Sequence, residues 1–245
     1  CVGNAQARFS EDALRILRGI RFAAQLGFEL EDETREGMRL LAPTLRKISA
    51  ERIQVELLKT LTSSRPDLLR EAWKLGITKE FLPEIDLAME TTQETVHHMY
   101  TVGEHILHTL LEVRPDRILR LTMLLHDIGK PYMKTMDADG VAHFKGHPEK
   151  SSELANEILH RLKFDNDTIR KVTKLVRYHD HRMPVTPAHV RRAVHEIGED
   201  LFPLYLEVRR ADVAAQSMYQ HKEKVADIDG VEKLYHEIME RKECV

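Results

Sequence analysis

Leu14, Leu17, Ile20 and Ala24 recur at three- and four-residue spacing, which predicts a helix over residues 14–26 that stops at Gly27. Ser10, followed by Glu11 and Asp12, reads as its N-cap with acids in the first turn. The same spacing predicts helices over 31–45, 48–61 and 67–75, with Gly76 and Pro83 as breaks. Trp73, Leu69, Phe81 and Leu82 read as one core cluster. Further helices are expected over 101–113, 149–162, 168–178 and 204–219, and a charged amphipathic one over 232–242. Between the first two of these, an apolar run from Leu121 to Leu125 leads straight into His126-Asp127-Ile128-Gly129-Lys130.

Composition agrees with a mostly helical chain. The 245 residues are 42% hydrophobic and 31% charged, with only 11 Gly and 9 Pro. The expected fold class is all-α: a helical neck and body followed by a helical metal-binding domain. Net charge is −3, so no global basic field advertises nucleic acid, and any RNA contact has to come from local clusters. Cys1 and Cys244 sit at the two ends and make no disulfide framework, which fits a cytoplasmic setting. No signal peptide and no apolar run of membrane-spanning length is present. The opening Cys1-Val2-Gly3-Asn4 reads as an interior stretch, so the chain is expected to be a piece of a longer protein.

Asp12, Arg15, Arg18 and Arg21 recur every third residue and stay on one broad side of the first long helix. An i,i+3 ion pair between Asp12 and Arg15 is the simplest use of those two. Three arginines beside one acid exceed that need, and guanidinium forks suit phosphate oxygens and base edges. FSEDALRILRGIRFAAQLGF, residues 9–28, closely resembles the nucleotide-recognition stretch of class II tRNA nucleotidyltransferases, the CCA-adding enzymes and bacterial poly(A) polymerases. ISAERIQVEL, residues 48–57, is similar to the next motif of that family. The resemblance implies that Asp12 and Arg15 face the Watson–Crick edge of an incoming CTP or ATP. It implies that Arg18 and Arg21 contact the nucleotide or brace that template, with Arg52 and Glu56 holding the template side chains. It further implies a division into 1–30 (end of the catalytic head and start of the neck), 31–95 (neck and body, holding tRNA), 96–220 (an HD domain) and 221–245 (start of a tail helix). The family's head carries a Gly-Ser element and a DxD pair that binds Mg²⁺. Asp137-Ala138-Asp139 reads instead as a hairpin turn, and Asp227-Ile228-Asp229 as a loop before the last helix. The head is therefore expected upstream of Cys1.

The chain has 14 histidines, which invites a search for metal ligands. An imidazole and a carboxylate at the end of a buried helix are costly to desolvate without a partner, and a divalent metal satisfies both. The alternative is a plain helix end with Gly129 as C-cap. His105, His126-Asp127, His147, His179 and Asp212 lie on predicted helices or at their ends, with His98 an alternative to His105. Imidazole with carboxylate suits Mn, Fe, Co, Ni or Zn. The order of these residues resembles the HD superfamily of metal-dependent phosphohydrolases. That resemblance implies one ion on His105, His126, Asp127 and Asp212, a second on His147 and His179 with Asp127 bridging, and Lys130 as a phosphate ligand. His179-Asp180 lacks the apolar lead-in of the first pair and counts as a ligand donor only. Three functional readings follow: a nucleotidyltransferase part, a phosphohydrolase acting on nucleotides or RNA 2′,3′-cyclic phosphate ends, and a tRNA-binding scaffold without chemistry.

Overall fold

A computed structural model describes residues 3–97 and 99–241. Cys1, Cys244 and His98 therefore lie outside the described residues. The described residues are all-α apart from one short hairpin. Helices α1 (Ala5–Glu11) and α2 (Leu14–Leu26) are divided at Asp12, whose backbone is extended and whose Oδ1 accepts from Leu14 N at 3.1 Å. The expected cap at Ser10 is thus displaced: Ser10 lies inside α1, and its hydroxyl donates to Gln6 O. A helix of seven residues is too short to reveal its own period in the sequence. α2 ends where expected, at a left-handed Gly27 with φ 70°.

α3 (Asp32–Leu41) stops short of residue 45 because Pro43 cannot donate within a helix, and a 3-10 turn, Ala42–Lys47, follows. Then come α4 (Ala50–Leu61), α5 (Leu69–Lys74) and α6 (Pro83–Glu90). Pro83, expected as a break, opens α6, since the first helical position needs no N–H. α7 (Val102–Leu111) is capped by Thr101, and α8 (Arg117–Leu125) by Asp116, which accepts from Ile118 N and Leu119 N. The short α9 (Lys130–Met133) precedes β1 (Thr135–Met136) and β2 (Ala142–His143). These strands pair antiparallel with Thr135 opposite His143, so Asp137 and Asp139 sit in the hairpin turn as expected. α10 (His147–Arg161) and α11 (Asn166–Tyr178) follow, then α12 (Pro187–Ile197), which the sequence pattern did not announce.

α13 (Phe202–Ala214) ends before the expected 219, and α14 (His221–Glu240) begins well before 232. Asp227 and Asp229 are consequently helical, not in a loop. The polar first half of α14 is held by Arg210, which lies 2.7 Å from Asp229 and 2.6 Å from Glu232. No helix among the described residues is long and apolar enough to cross a membrane.

One apolar core runs from Phe9 and Ile16 through Leu45, Leu61 and Leu82 to Ile106, Leu124 and Val172. It crosses residue 95 without interruption. Ion pairs span the same line: Arg70–Glu104 at 2.6 Å and Arg161–Glu84 at 2.8 Å. A second cluster, around Val194, Phe202, Tyr205 and Tyr235, joins α12, α13 and α14. Ile118 and Leu204 pack against both clusters.

The crossing of α6 and α7 depends on Gly103, where a Cβ would lie 2.6 Å from the Met89 backbone. Gly103→Ala is expected to destabilise the chain by about 1–3 kcal/mol, a shift of roughly 2–4 °C in Tm per kcal/mol. Denaturant melts of the two chains check this; an unchanged midpoint would mean that the crossing relaxes freely.

Candidate functional site

Five helices aim side chains at one buried point. His105 lies on α7, His126-Asp127 directly follow α8, His147 opens α10, His179 ends α11, and Asp212 lies on α13. The local folding explains the aim. Gly146, at φ 83°, turns the chain from the hairpin into α10 and presents His147 at its first position. At Gly129 φ is an ordinary −84°, so it is no left-handed cap. Its constraint is closeness: a Cβ there would stand 2.5 Å from Ser151 N. Without one, α10 closes on the His126-Asp127 turn, and Gly129 N donates to Ser151 Oγ at 2.9 Å.

Asp127 is buried at the centre. Its Oδ2 faces His126 Nε2 at 3.4 Å and His105 Nε2 at 3.5 Å. Its Oδ1 faces His147 Nε2 at 3.3 Å and His179 Nε2 at 3.4 Å. Asp212 Oδ1 adjoins the first group, 3.0 Å from His105 Nε2. Two donor sets therefore share one carboxylate: His105, His126 and Asp127 with Asp212 beside them, and Asp127, His147 and His179. Burial alone would push the Asp127 carboxyl up, but the Lys130 ammonium beside it holds it well below the usual carboxylate range. Asp212 is held well below its usual range likewise, despite its burial, with His105 at 3.0 Å.

The tautomers are set from outside the cluster. Nδ1 of His126, His147, His179 and His105 faces the carbonyl of Met123, Phe144, Val176 and Ala215 at 2.8, 2.9, 2.6 and 3.3 Å. A carbonyl only accepts, so each Nδ1 carries a proton, and the neutral form of each ring points its Nε2 lone pair inward. These lone pairs meet head-on, His105 with His126 at 3.3 Å and His147 with His179 at 3.2 Å. Among the described residues no well-directed hydrogen bond reaches either Asp127 oxygen. Converging lone pairs around a buried carboxylate are repulsive unless a cation lies among them, and the residues present fit a divalent metal.

Lys130 Nζ lies 2.7 Å from Asp127 Oδ2 and donates to Gln93 Oε1 at 2.9 Å. It also lines a cleft of about 560 Å³ that reaches the centre, together with His143, Lys145, Arg182 and Asp212. Sequence reasoning missed Gln93, Ser151 and Gln216, the last of which donates to Asp212 Oδ2 at 3.0 Å. No spacing announces these residues; only the packing makes them neighbours.

The arginine row lies far along the chain, on α2. Asp12 reaches Arg52 of α4 at 2.9 Å. The expected Asp12–Arg15 pair does not form, because Asp12 is outside the helix and the i,i+3 spacing does not apply to it. Arg15 pairs with Glu11 and donates to Arg8 O at 2.9 Å. Glu56, buried on α4, answers two arginines: Arg21 Nε at 2.6 Å and Arg18 Nε at 3.3 Å. The Arg21 guanidinium also lies over the Phe22 ring, 4.0 Å from its centroid. Beside the row is a recess of about 380 Å³, lined by Arg15, Arg18, Phe22, Phe28 and Met38.

Comparison with known proteins finds two families along the chain. The family described as "Probable RNA and SrmB- binding site of polymerase A" matches residues 27–89, and the HD domain matches residues 95–214. An A-adding tRNA nucleotidyltransferase of Deinococcus radiodurans is 36% identical over 216 residues, 82% of this chain and 49% of the relative. A CC-adding tRNA nucleotidyltransferase of Thermus thermophilus is 36% identical over 214 residues, again 82% and 49%. The chain thus spans about half the length of the curated relatives it matches. In fold it is similar to the crystal structure of the Bacillus stearothermophilus CCA-adding enzyme in complex with CTP. That match has a TM-score of 0.56 and 20% identity, and it covers 98% of this chain and 49% of the other.

Glu56→Gln removes the charge that two guanidiniums share. The variant is expected to lose about 1.5–3 kcal/mol, the usual worth of a hydrogen bond to a charged group, here from Arg18 Nε to Glu56 Oε1 with the Arg21 charge close by. Denaturant melts read the loss, and a change below the error of the melts would mean that Arg18 and Arg21 find other partners.

Proposed function

Because the chain belongs to the tRNA nucleotidyltransferase family, we propose that it is the nucleotide-reading and RNA-holding part of an enzyme that extends tRNA 3′ ends from CTP and ATP. The observation that carries this reading is the double brace from α4, Arg52 on Asp12 and Glu56 on Arg18 and Arg21. Reading a base edge requires donors and acceptors held still before the base arrives, and the braces supply that stiffness. In this reading Asp12 and Arg15 present their polar atoms to the Watson–Crick edge. Arg18 and Arg21 carry charge toward the nucleotide, and the aromatic recess beside them accepts an apolar ring. Residues 1–30 join the head to the neck, 31–95 hold tRNA, 96–220 form the HD domain and 221–245 begin a tail. Transfer itself draws on Mg²⁺ held by carboxylates of a head; Asp137 and Asp139 at a hairpin turn, and Asp227 and Asp229 on α14, are not a substitute. These substrates put the enzyme in the cytoplasm.

A second reading rests on the two-sided Asp127. His105, His126, Asp127 and Asp212 would hold one divalent transition ion (Mn, Co, Ni, Fe or Zn), and His147 and His179 with Asp127 a second. Such ions supply Lewis acidity toward phosphoryl oxygens and lower the pKa of water. The chain's own contribution is threefold. The backbone carbonyls lock four imidazoles in one tautomer. Lys130 keeps Asp127 ionised, and from the cleft wall it offers positive charge to a phosphate. The buried floor excludes bulk water. Nucleotides or RNA ends bearing a 2′,3′-cyclic phosphate are the matching substrates.

Two outcomes are expected. Mn²⁺, Co²⁺ or Ni²⁺ raises the melting temperature near neutral pH, and the rise fades in acid as protons compete with the metal for its ligands. Asp127→Ala abolishes the rise. Elemental analysis with less than one transition ion per chain, and no stabilisation by any of the three, sinks the metal reading. In a protein that joins this chain to a head, Arg15→Ala blurs the choice of CTP and ATP over UTP and GTP, because a polar base edge then meets no partner. Labelled-nucleotide incorporation onto end-lacking tRNA measures it. Retained selectivity with only a lower melting temperature would make Arg15 a structural member of its ion pair. The 245-residue chain alone is expected to incorporate nothing.

A further inference from the structure

Behind Asp212 the cleft continues into a second recess of about 270 Å³ between α13 and α14. Asp180, Arg182, Asp212 and Gln216 line both spaces, so the recess opens beside the metal centre. Two of its walls are buried cations, Arg209 of α13 and Lys224 of α14, each only 9% exposed. Neither has a carboxylate partner among the described residues. Arg209 Nη1 donates to His181 O at 2.8 Å, while its buried Nε has no partner. Lys224 Nζ donates to Gln216 Oε1 at 2.8 Å and lies 3.5 Å from His97 Nδ1. The carboxylates of Glu223 and Asp227 stay out on the exposed rim, and Asp180 is taken by Arg182 at 3.3 Å. Burial, with Arg182 nearby, pulls the Lys224 ammonium below its ordinary range against the opposing charges of Asp212 and Asp180.

Burying a cation without a carboxylate in direct contact is expensive, and here two such cations converge from two helices on one small space. A guanidinium edge and an ammonium together match the oxygens of a phosphate. We propose that this recess is an anion pocket for a second phosphate group, carried by a ligand whose first phosphate lies at the metal centre. The centre then recognises a nucleotide bearing two phosphates rather than a lone phosphate ester. The first phosphate's place rests on the metal-centre reading; anion binding by the recess does not. Gln216 links the two, accepting from Lys224 and donating to Asp212, so an anion on Lys224 is felt at the outer oxygen of Asp212.

Calorimetric titration of the Mn²⁺-loaded chain tests this with three probes: adenosine 3′-monophosphate, adenosine 3′,5′-bisphosphate and ADP. At least one two-phosphate probe is expected to bind about tenfold or more tightly than the monophosphate, the worth of a charge-assisted contact. Preference for the bisphosphate identifies a chain end as the source of the second phosphate; preference for ADP identifies a diphosphate. Arg209→Met with Lys224→Met should erase the preference and leave monophosphate binding unchanged. The charge-keeping pair Arg209→Lys with Lys224→Arg should retain it. Should the double Met variant fold poorly, Lys224→Met alone carries the comparison. Equal binding of all three probes by the unaltered chain, or a preference that survives loss of both cations, overturns the proposal. Inorganic phosphate should also raise the melting temperature of the metal-free chain, and less so with Lys224→Met. That arm separates failure of the pocket from failure of the metal centre.

Discussion

The fold around residues 105–212 answers to one constraint, a carboxylate buried among four imidazoles whose unprotonated nitrogens all face it. Asp127 cannot be left there alone, and the packing around it reads as a series of answers to that problem. Lys130 comes back from the following turn to lie against Oδ2. Carbonyls at the ends of α8 and α11, and in the approach to α10, fix the ring protons on the outside. The absence of a side chain at Gly129 lets α10 approach closely enough to deliver His147. Each feature is weak alone. Together they hold five helices at a single point, which the hydrophobic core could satisfy in many other registers.

The α2–α4 contact follows a related logic with the signs exchanged. There a buried carboxylate, Glu56, stands before two guanidiniums instead of several imidazoles. Arginine stays charged at any pH the protein meets, so this brace needs no added ion. Imidazoles that spend their Nδ1 protons on outer carbonyls turn only Nε2 lone pairs toward Asp127 and cannot play that part. The chemistry of the donor set therefore distinguishes a closed ion-pair cluster from one that calls for a metal.

Much of this was legible in the residues. The apolar spacing on α2, the stop at Gly27 and the hairpin at Asp137–Gly140 follow from local rules that packing did not override. His105, His126, Asp127, His147, His179 and Asp212 could be singled out because their order along the chain resembles that of the HD superfamily. The misplacements have local causes. Ser10 looked like a cap because α1 is too short to show a period, and Pro83 looked like a break because a proline that ends one helix can open another. α14 looked shorter than it is because its first half carries few apolar positions, Val225 and Ile228, among many charges, and ion pairs with Arg210 add to their packing. Gln93, Ser151 and Gln216 carried no signal at all; their roles exist only where distant segments meet.

The core that runs from Phe9 to Val172 without a break at residue 95 has a mechanical consequence. The arginine row and the histidine cluster are carried on a single packed interior, tied again by Gln54 to the Lys163 carbonyl and by Arg161 to Glu84. A close-packed interior does not stretch or fold at its middle. The separation between the two sites is therefore a fixed length of the molecule rather than a variable it can adjust. An RNA end that visited both would have to be the moving part, released from one and carried to the other, with the protein acting as a rigid gauge between them.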